Sequence, residues 1–483
     1  MKLKIENHVW GAGLGACVGF HFRHRKGTTL HRFLTIKFTP LVILAAALMF
    51  GLPSAVQGAE TNAAASARFV ADVPVTLKES VGHLLQIHDR IKASEASLKS
   101  AEHMEKRAKG VWYPRLNAIV DAGKEDITKP DPTQSSNMNR NVETLSANQL
   151  LYDFGGASGG IAQAKATREE AAAKLEQMRQ EVSMQGVSAY LGLIRAREML
   201  RYAIRSEDNI KRLSGMQEAL VERGVGFSYE ELQIKAQLAG AQAHRVNVER
   251  GMVSARNNYR AVFQFDITDA QIESLLLPGM PKTQMPSNLD GAVELALDAN
   301  PALIELQHSI GSRQGELTMR ESAMYPKFEA VAEAMRKEND QGESGVRTEG
   351  RAGLQVTYNL FQGFRDVEST RAAKSDIISI RKTLLDRRRT VEERVRNAWN
   401  DITTLTRTVD LYDNQANITW SFLELIKKKK ALGGEVNLLD ILVGERDYIS
   451  ATSSKVTADI DLITAAYTLF YQMGQLRPEV VEN

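Results

Sequence analysis

The sequence predicts a mainly α-helical protein with a small β part, built twice over from long coiled-coil helices, with four strands in the chain. Three observations predict it. The stretch LLYDFGG at Leu150–Gly156 returns in altered form as NLFQGFR at Asn359–Arg365. Proline is absent from Thr133 to Leu277 and again from Lys327 to Arg477. Inside those windows apolar residues recur in alternating steps of four and three.

The duplication extends well beyond the opening motif. At an offset of 209, Lys165 matches Lys374, Ala189-Tyr190 matches Ala398-Trp399, Gly224 matches Gly433 and Glu231 matches Asp440. Upstream the offset is 212, so that Leu77 matches Leu289, Val81 matches Val293, and Tyr113-Pro114 matches Tyr325-Pro326. Self-similarity at fixed spacing means repeated architecture, here two large units. The repeats run over residues 77–262 and 289–471, each reading helix, two strands, long helix, helix. Pro278, Pro281 and Pro286 mark the connecting stretch 263–288, and residues 472–483 form a tail.

Residues 157–223 and 366–432 are rich in Ala, Glu, Lys, Arg, Leu and Gln, which favour helices. Helices of that length would run roughly 100 Å at 1.5 Å per residue. Val391, Val395, Ala398, Ile402, Leu405, Val409, Tyr412, Ala416, Thr419, Leu423 and Ile426 form a heptad seam. Val182, Gly186, Ala189, Leu193, Ala196, Leu200 and Ala203 form the matching one from smaller residues. A 3.5-residue repeat implies left-handed supercoiling. Each long helix should end at glycine and turn back. Gly224 precedes Ser228, which is expected to cap the next helix with Glu231 as a capping box. Lys427–Lys430 precede Gly433 and Gly434, with Asn437 expected as the second cap. The lysines suit a helix C-terminus as a solvated end or as a surface for a partner.

Strands are expected over Arg115–Gly123, Glu143–Tyr152, Lys327–Met335 and Arg351–Phe361, with polar loops Lys124–Asn141 and Lys337–Arg347. Alternation is clearest where Ala352, Leu354, Val356, Tyr358 and Leu360 share one face. Such strands suit a membrane barrel or a half-buried soluble sheet. The aromatics favour the membrane. Trp112, Tyr113 and Tyr325 precede odd strands, while Tyr152, Phe154, Phe361 and Phe364 close even ones. In antiparallel hairpins all of these fall at one end, as a girdle at a lipid interface does. Four strands cannot close a barrel, and an open edge is not tolerated in lipid. A dimer would supply eight strands and a trimer twelve.

The N-terminus reads as a signal peptide over residues 1–58. Basic residues precede an apolar run from Leu41 to Leu52, and small residues end at Ala59. The run is too short to span a bilayer. Leu14–Cys17 is a weaker, glycine-rich lipidation-like box upstream of it. Residues 59–76 are a mature linker. The whole chain carries a net charge of +2, and removing residues 1–58 leaves 54 basic and 58 acidic residues, a net charge of −4. Nothing in this points to nucleic acid. The single cysteine excludes a disulfide framework. No nucleotide, metalloprotease, hydrolase or metal-ligand motif occurs, so no enzyme, cofactor or metal is expected, and transport energy must come from a partner.

The duplicated halves, the two Tyr-Pro pairs, the two glycine motifs and GEVNLLDIL at Gly434–Leu442 together resemble the TolC family of outer-membrane efflux and secretion ducts. The resemblance covers residues 77–475. It implies a homotrimer in outer-membrane lipid: a twelve-stranded barrel continuous with a periplasmic helical tunnel. It also implies a periplasmic adaptor (membrane fusion protein) and an inner-membrane transporter docking at the tip, where Gly224, Ser228, Gly433, Gly434 and Asn437 lie. Acidic residues near the tip narrow the aperture in the family. The motif match carries this to Asp440, and repeat equivalence adds Glu231. The family's second acidic position falls on Val443, which leaves a double ring incomplete. The alternative expectation is a periplasmic coiled-coil scaffold or adaptor without a barrel. The cargo, protein by type I secretion or small molecules by efflux, is not written in the motifs.

Overall fold

The structure is a computed structural model that describes residues 76–281 and 285–481. The expected leader, its cleavage site and Cys17 lie outside the described residues.

In the first half, α1 (Leu77–Ile87) and α2 (Asp89–Lys109) lead into strands β1 (Arg115–Ile127) and β2 (Ser136–Tyr152). Helices α3 (Gly156–Glu222) and α4 (Ser228–Phe263) come next. The connection holds the short α5 (Asp269–Ser274). The second half repeats the order: α6 (Leu289–Ala299), α7 (Pro301–Ser322), β3 (Lys327–Glu338), β4 (Val346–Thr357), α8 (Arg365–Ala431) and α9 (Leu438–Gln472). The two long helices, α3 and α8, are 67 residues each.

Each half starts with two helices where one was expected, and equivalent residues make the break. His88 ends α1 and caps α2, its Nδ1 accepting from the Arg90 amide at 3.2 Å. Asn300, 212 positions on, caps α7 through the Ala302 amide at 3.0 Å. Both cap residues are extended, with ψ of 126° and 119°. That backbone conformation interrupts the helix, and the side chain then starts the next one.

The heptad seams are buried as their spacing requires. Val182, Gly186, Ala189 and Leu193 of α3 face inward, as do Val391, Val395, Ala398 and Ile402 of α8. Small seam residues allow close approach: a Cβ at Gly186 would lie 2.6 Å from Leu84 Cδ2 of α1. The main core joins α1 and α3 to Tyr259 and Phe263 of α4, Ala292 of α6, and Ile460, Tyr467 and Phe470 of α9. The connection and the tail contribute to it as well. Ile272 and Leu275, then Leu476, Val480 and Val481, are buried there.

The four strands form one antiparallel sheet in the order β1-β2-β3-β4. Three strands extend further toward the loops than expected. The β1–β2 ladder continues to Ile127 opposite Ser136, and β3–β4 continues to Glu338 opposite Val346. Apart from Ile127, Met138 and Val142 these added residues are polar, and backbone pairing does not need apolar side chains, so hydropathy alone misses them. The fourth strand is displaced instead. It begins at Val346 and ends at Thr357, leaving Tyr358–Phe361 outside it.

Candidate functional site

Register sorts the sheet into two unlike faces. Directly opposed residues share a face, so Leu116, Ala147, Ala332 and Ala352 form one row. Ala118, Leu145, Ala334 and Gly350 form the next. This face is apolar from Phe328 to Ala334, about 20 Å at ~3.4 Å per residue. It ends where Arg336 and Glu143 pair at 3.6 Å. Leu116, Val120, Leu145, Leu354 and Val356 on it are exposed. The opposite face is a lattice of charge: Arg351–Glu333 at 2.6 Å, Lys337–Glu349 at 3.2 Å and Lys327–Glu329 at 2.8 Å. Near the loops, Arg140 binds Asp121 and Asp340, each at 2.5 Å.

The duplicated motif is the turn from strand to helix. Phe154 and Gly155 have φ of 53° and 107°, and their equivalents Gly363 and Phe364 have φ of 62° and 64°. Two successive left-handed residues redirect the chain, and a glycine makes one of them free of strain. Ring packing differs between the copies. Phe154 stacks on Tyr325 at 5.2 Å and meets Tyr152 edge-on at 4.7 Å. Phe364 touches Phe361 at 5.4 Å, and both are exposed. Trp112, Tyr113, Tyr152, Phe154, Tyr325, Phe361 and Phe364 all flank the same end of the sheet, opposite the loops.

At the far ends of the long helices the chain turns at Gly224 and Gly433, with φ of 77° and 78°. The Val225 and Gly226 amides donate back to the Leu220 carbonyl at 3.0 Å each. Asn437 caps α9 as expected, accepting from the Leu439 amide at 3.0 Å. Ser228 does not cap α4. The N-cap is Phe227, and Ser228 is the first helical residue. The cap position falls one residue earlier than the spacing suggests, because Gly226 packs against the α3 terminus: a Cβ there would lie 2.9 Å from the Val221 amide nitrogen.

Asp440 lies exposed in the first turn of α9. Glu231 is half-buried and paired with Lys235 at 2.6 Å, which also binds Glu218 at 3.1 Å. Those hydrogen bonds, Glu231 first, push the Lys235 ammonium above the usual lysine range. The two repeat-equivalent carboxylates therefore stand in unlike surroundings. Val443, one turn beyond Asp440, is 43% exposed. Of the terminal lysines, Lys427 binds Glu445, Lys428 pairs with Glu424 at 2.8 Å, and Lys430 Nζ donates to the Val436 carbonyl at 2.9 Å.

Sequence reading missed the groups that join the two hairpins. Glu230 accepts from Asn437 Nδ2 at 3.0 Å and from Gln217 Nε2 at 2.9 Å. Glu445 accepts from Asn209 Nδ2 at 2.8 Å. Gln217 is only 2% exposed. A signal existed: continuing the α3 seam in its four-three steps reaches Ser214 and Gln217, polar residues in apolar positions. An apolar cluster of Ile210, Leu213, Ile234, Leu423, Leu438, Ile441 and Leu442 lies beside these links. Further from the tip, Lys455 binds Asp413 and holds its carboxyl below the usual range, while burial raises Asp459. Among the described residues no His, Cys, Asp or Glu group is placed to hold a metal.

The model of the outer membrane efflux protein family matches residues 81–262 and 292–475, one segment on each half. The chain belongs to that family. A relative, the alkaline protease secretion protein AprF of Pseudomonas aeruginosa, is 23% identical over 374 residues, which is 75% of this chain and 77% of AprF. The outer membrane efflux protein BepC of Brucella suis is 20% identical over 396 residues, covering 80% of this chain and 82% of BepC. Among solved structures, the CmeC outer membrane channel of Campylobacter jejuni superposes with a TM-score of 0.74 at 14% identity, over 84% of this chain and 86% of CmeC. As a member of the outer membrane efflux protein family, the chain is an outer-membrane channel with a long helical part in the periplasm. Among the described residues no helix is long and apolar enough to cross a membrane, while the sheet carries a broad exposed apolar face.

Proposed function

We propose that three copies of this outer membrane efflux protein close a twelve-stranded barrel whose apolar face meets lipid and whose charged face lines the pore. The aromatic ring at the motif end of the sheet sits at the periplasmic interface. The long helices continue the barrel as a tunnel. It passively exports cargo that an inner-membrane transporter and a periplasmic adaptor deliver at the tip, where Gly224, Ser228, Gly433, Gly434 and Asn437 form the docking turns.

One observation supports this reading: among the described residues, both edges of the sheet and a line of apolar residues on each of two helices are left uncovered where a neighbour would lie. β1 and β4 are unpaired edges of the sheet. Helices α4 and α8 each carry a second, exposed heptad line. On α4 it passes through Leu232, Ala239, Val246 and Val253, and on α8 through Leu411, Ile418, Leu425 and Leu432. A periplasmic scaffold without a barrel has no use for an exposed apolar sheet.

Asp440 lines the aperture, with Glu231 as a weaker second carboxylate because Lys235 already neutralises it. The cargo is a secreted protein, by likeness to AprF. The test is single-channel recording of purified protein whose mass is fixed by light scattering. A trimer with discrete, cation-selective conductance is expected. A folded monomer without conductance, with or without its adaptor, overturns the reading.

A further inference from the structure

The charged face of the sheet is not bare at its loop end. The β3–β4 turn, residues 339–345, folds down onto it. Asp340 Oδ1 accepts from Arg140 Nε at 2.5 Å, and the Gly342 amide donates to Glu125 Oε2 at 3.0 Å. Asn339 Nδ2 donates to the Asn139 carbonyl at 3.1 Å. A Cβ at Gly342 would lie 3.0 Å from Ser136 Oγ and 3.5 Å from Ile127 Cδ1.

Register fixes which side of the sheet receives the turn. Arg140 stands opposite Gly123, and Ser136 opposite Ile127. Side chains alternate along a strand, so Asp121, Glu125, Ile127, Ser136 and Arg140 share the face of Arg351 and Glu333. The sheet order is β1-β2-β3-β4, so a turn rooted on β3 and β4 crosses β2 to meet side chains of β1. That is ~10 Å sideways at ~4.8 Å per strand. The turn is a closed knuckle rather than a two-residue hairpin. The Asn339 amide donates to the Gly345 carbonyl at 2.9 Å, and the Gly345 amide donates to Asn339 Oδ1 at 3.0 Å. Asn339, Gln341, Gly342 and Gly345 are left-handed, with φ of 53°, 58°, 79° and 114°. The β1–β2 connection bonds within itself instead: the Lys129 amide donates to Ser135 Oγ at 3.1 Å, and Asp131 accepts from the Thr133 amide at 3.0 Å.

We infer that the β3–β4 turn stands over the outer mouth of the pore and narrows it, and that Arg140 is the positioning residue that holds it there. The guanidinium of Arg140 bridges Asp121 on β1 and Asp340 on the turn, each at 2.5 Å. The Asp340 side chain is only 7% exposed, so water and salt weaken this link less than a surface pair. Gln341, Glu343 and Ser344 at the crest of the turn are exposed and face whatever leaves. The strand ladders run through backbone groups, so the link can open while the sheet stays paired. Small solutes pass the held mouth, and bulky cargo passes when the link opens.

This inference rests on the reading that the charged face lines a channel, and the experiment separates the two. Asn117 lies on that face, on β1, far from the loop end. The full chain carrying Cys17→Ala and Asn117→Cys is purified and recorded as single channels in a planar bilayer. A poly(ethylene glycol) maleimide is added on the loop side, and its reaction is read as irreversible block of the current. A small methanethiosulfonate reagent is the control. Arg140→Ala should speed block by the bulky reagent at least about fivefold, because a hydrogen bond between charged groups weighs that much in the balance of held and released turn. Asp340→Asn should do the same while keeping Arg140 on Asp121, and it carries the test if Arg140→Ala fails to fold. The small reagent should react at one rate in all variants. Bulky block unchanged by either substitution, or a rise shared by the small reagent, overturns the inference, while the conductance itself keeps the channel. Folded protein without conductance overturns both.

Discussion

The two halves share a backbone but not a surface. The caps at His88 and Asn300, the tip glycines and the left-handed junctions coincide residue for residue, so local geometry is duplicated closely except at the tip caps, Phe227 and Asn437, which differ by one position. Close packing is not. Helices α3 and α7 cross backbone to backbone, where a Cβ at Gly315 would lie 2.5 Å from the Gln163 amide nitrogen and one at Gly159 would lie 2.8 Å from the Gly315 carbonyl oxygen. The equivalents of Gly159 and Gly315 are Glu368 and His103, both exposed. In the proposed trimer the corresponding crossing, α8 on a neighbour's α2, would hold two long side chains and would be less tight. Six hairpins around a trimer would be alike in strand pairing and unlike in helix packing. The symmetry of such an assembly is threefold, with sixfold likeness only where the backbone does the recognising.

The comparison can be broken most forcefully in the sheet. Arginine at both Leu354 and Val356 should abolish outer-membrane assembly, since each substitution near mid-bilayer on a lipid-facing strand costs roughly 2–4 kcal/mol. Recovery of normal trimer in membranes would mean that this face does not meet lipid. Next comes the helix crossing. Gly315→Leu should destabilise by about 1–3 kcal/mol through overpacking, while His103→Leu at the equivalent site stays within about 0.5 kcal/mol. Denaturant midpoints of the two variants measure this, and equal midpoints would remove the distinction between the crossings.

The tips give smaller differences. Asn437→Ala should cost about 1 kcal/mol as a lost cap, beyond which the Glu230 link is also lost, whereas Ser228→Ala should change stability by less than about 0.5 kcal/mol. Hydrogen exchange over residues 436–442 reports the first, and comparable loosening by Ser228→Ala would restore serine as a cap. Smallest is the difference between the carboxylates. Asp440→Ala should raise conductance and relieve cation block more than Glu231→Ala, because Lys235 already holds Glu231. Equal effects in bilayer recordings would mean that this pairing opens in the assembled pore.

Much of the fold was readable from residues alone. The long helices, expected over 157–223 and 366–432, are found one residue earlier at each end. Their length came from the absence of proline and their buried faces from the seam. The break at His88 was harder, because α2 lacks the Pro301 that announces the matching break at Asn300. Alignment of the halves already held that clue. The outer strand ends were invisible to hydropathy, since pairing there runs through backbone groups. Ser228 looked like a cap by spacing, and Gly226 packing against α3 moved the cap to Phe227. The Glu230–Asn437 link joins residues 207 apart in sequence, and no periodicity connects them.

The sequence by itself determined the duplication, the helices, their seams, the turns and the strand faces, because each follows from local spacing and backbone chemistry. Only the tertiary structure decided which of two equivalent surfaces is covered. Leu150 and Tyr152 lie beside β3, while among the described residues no strand lies beside their equivalents Asn359 and Phe361, although the motifs around them are nearly the same. The physical reason is connectivity. One chain brings its first half against its second along a single side, and the matching side is left uncovered among the described residues.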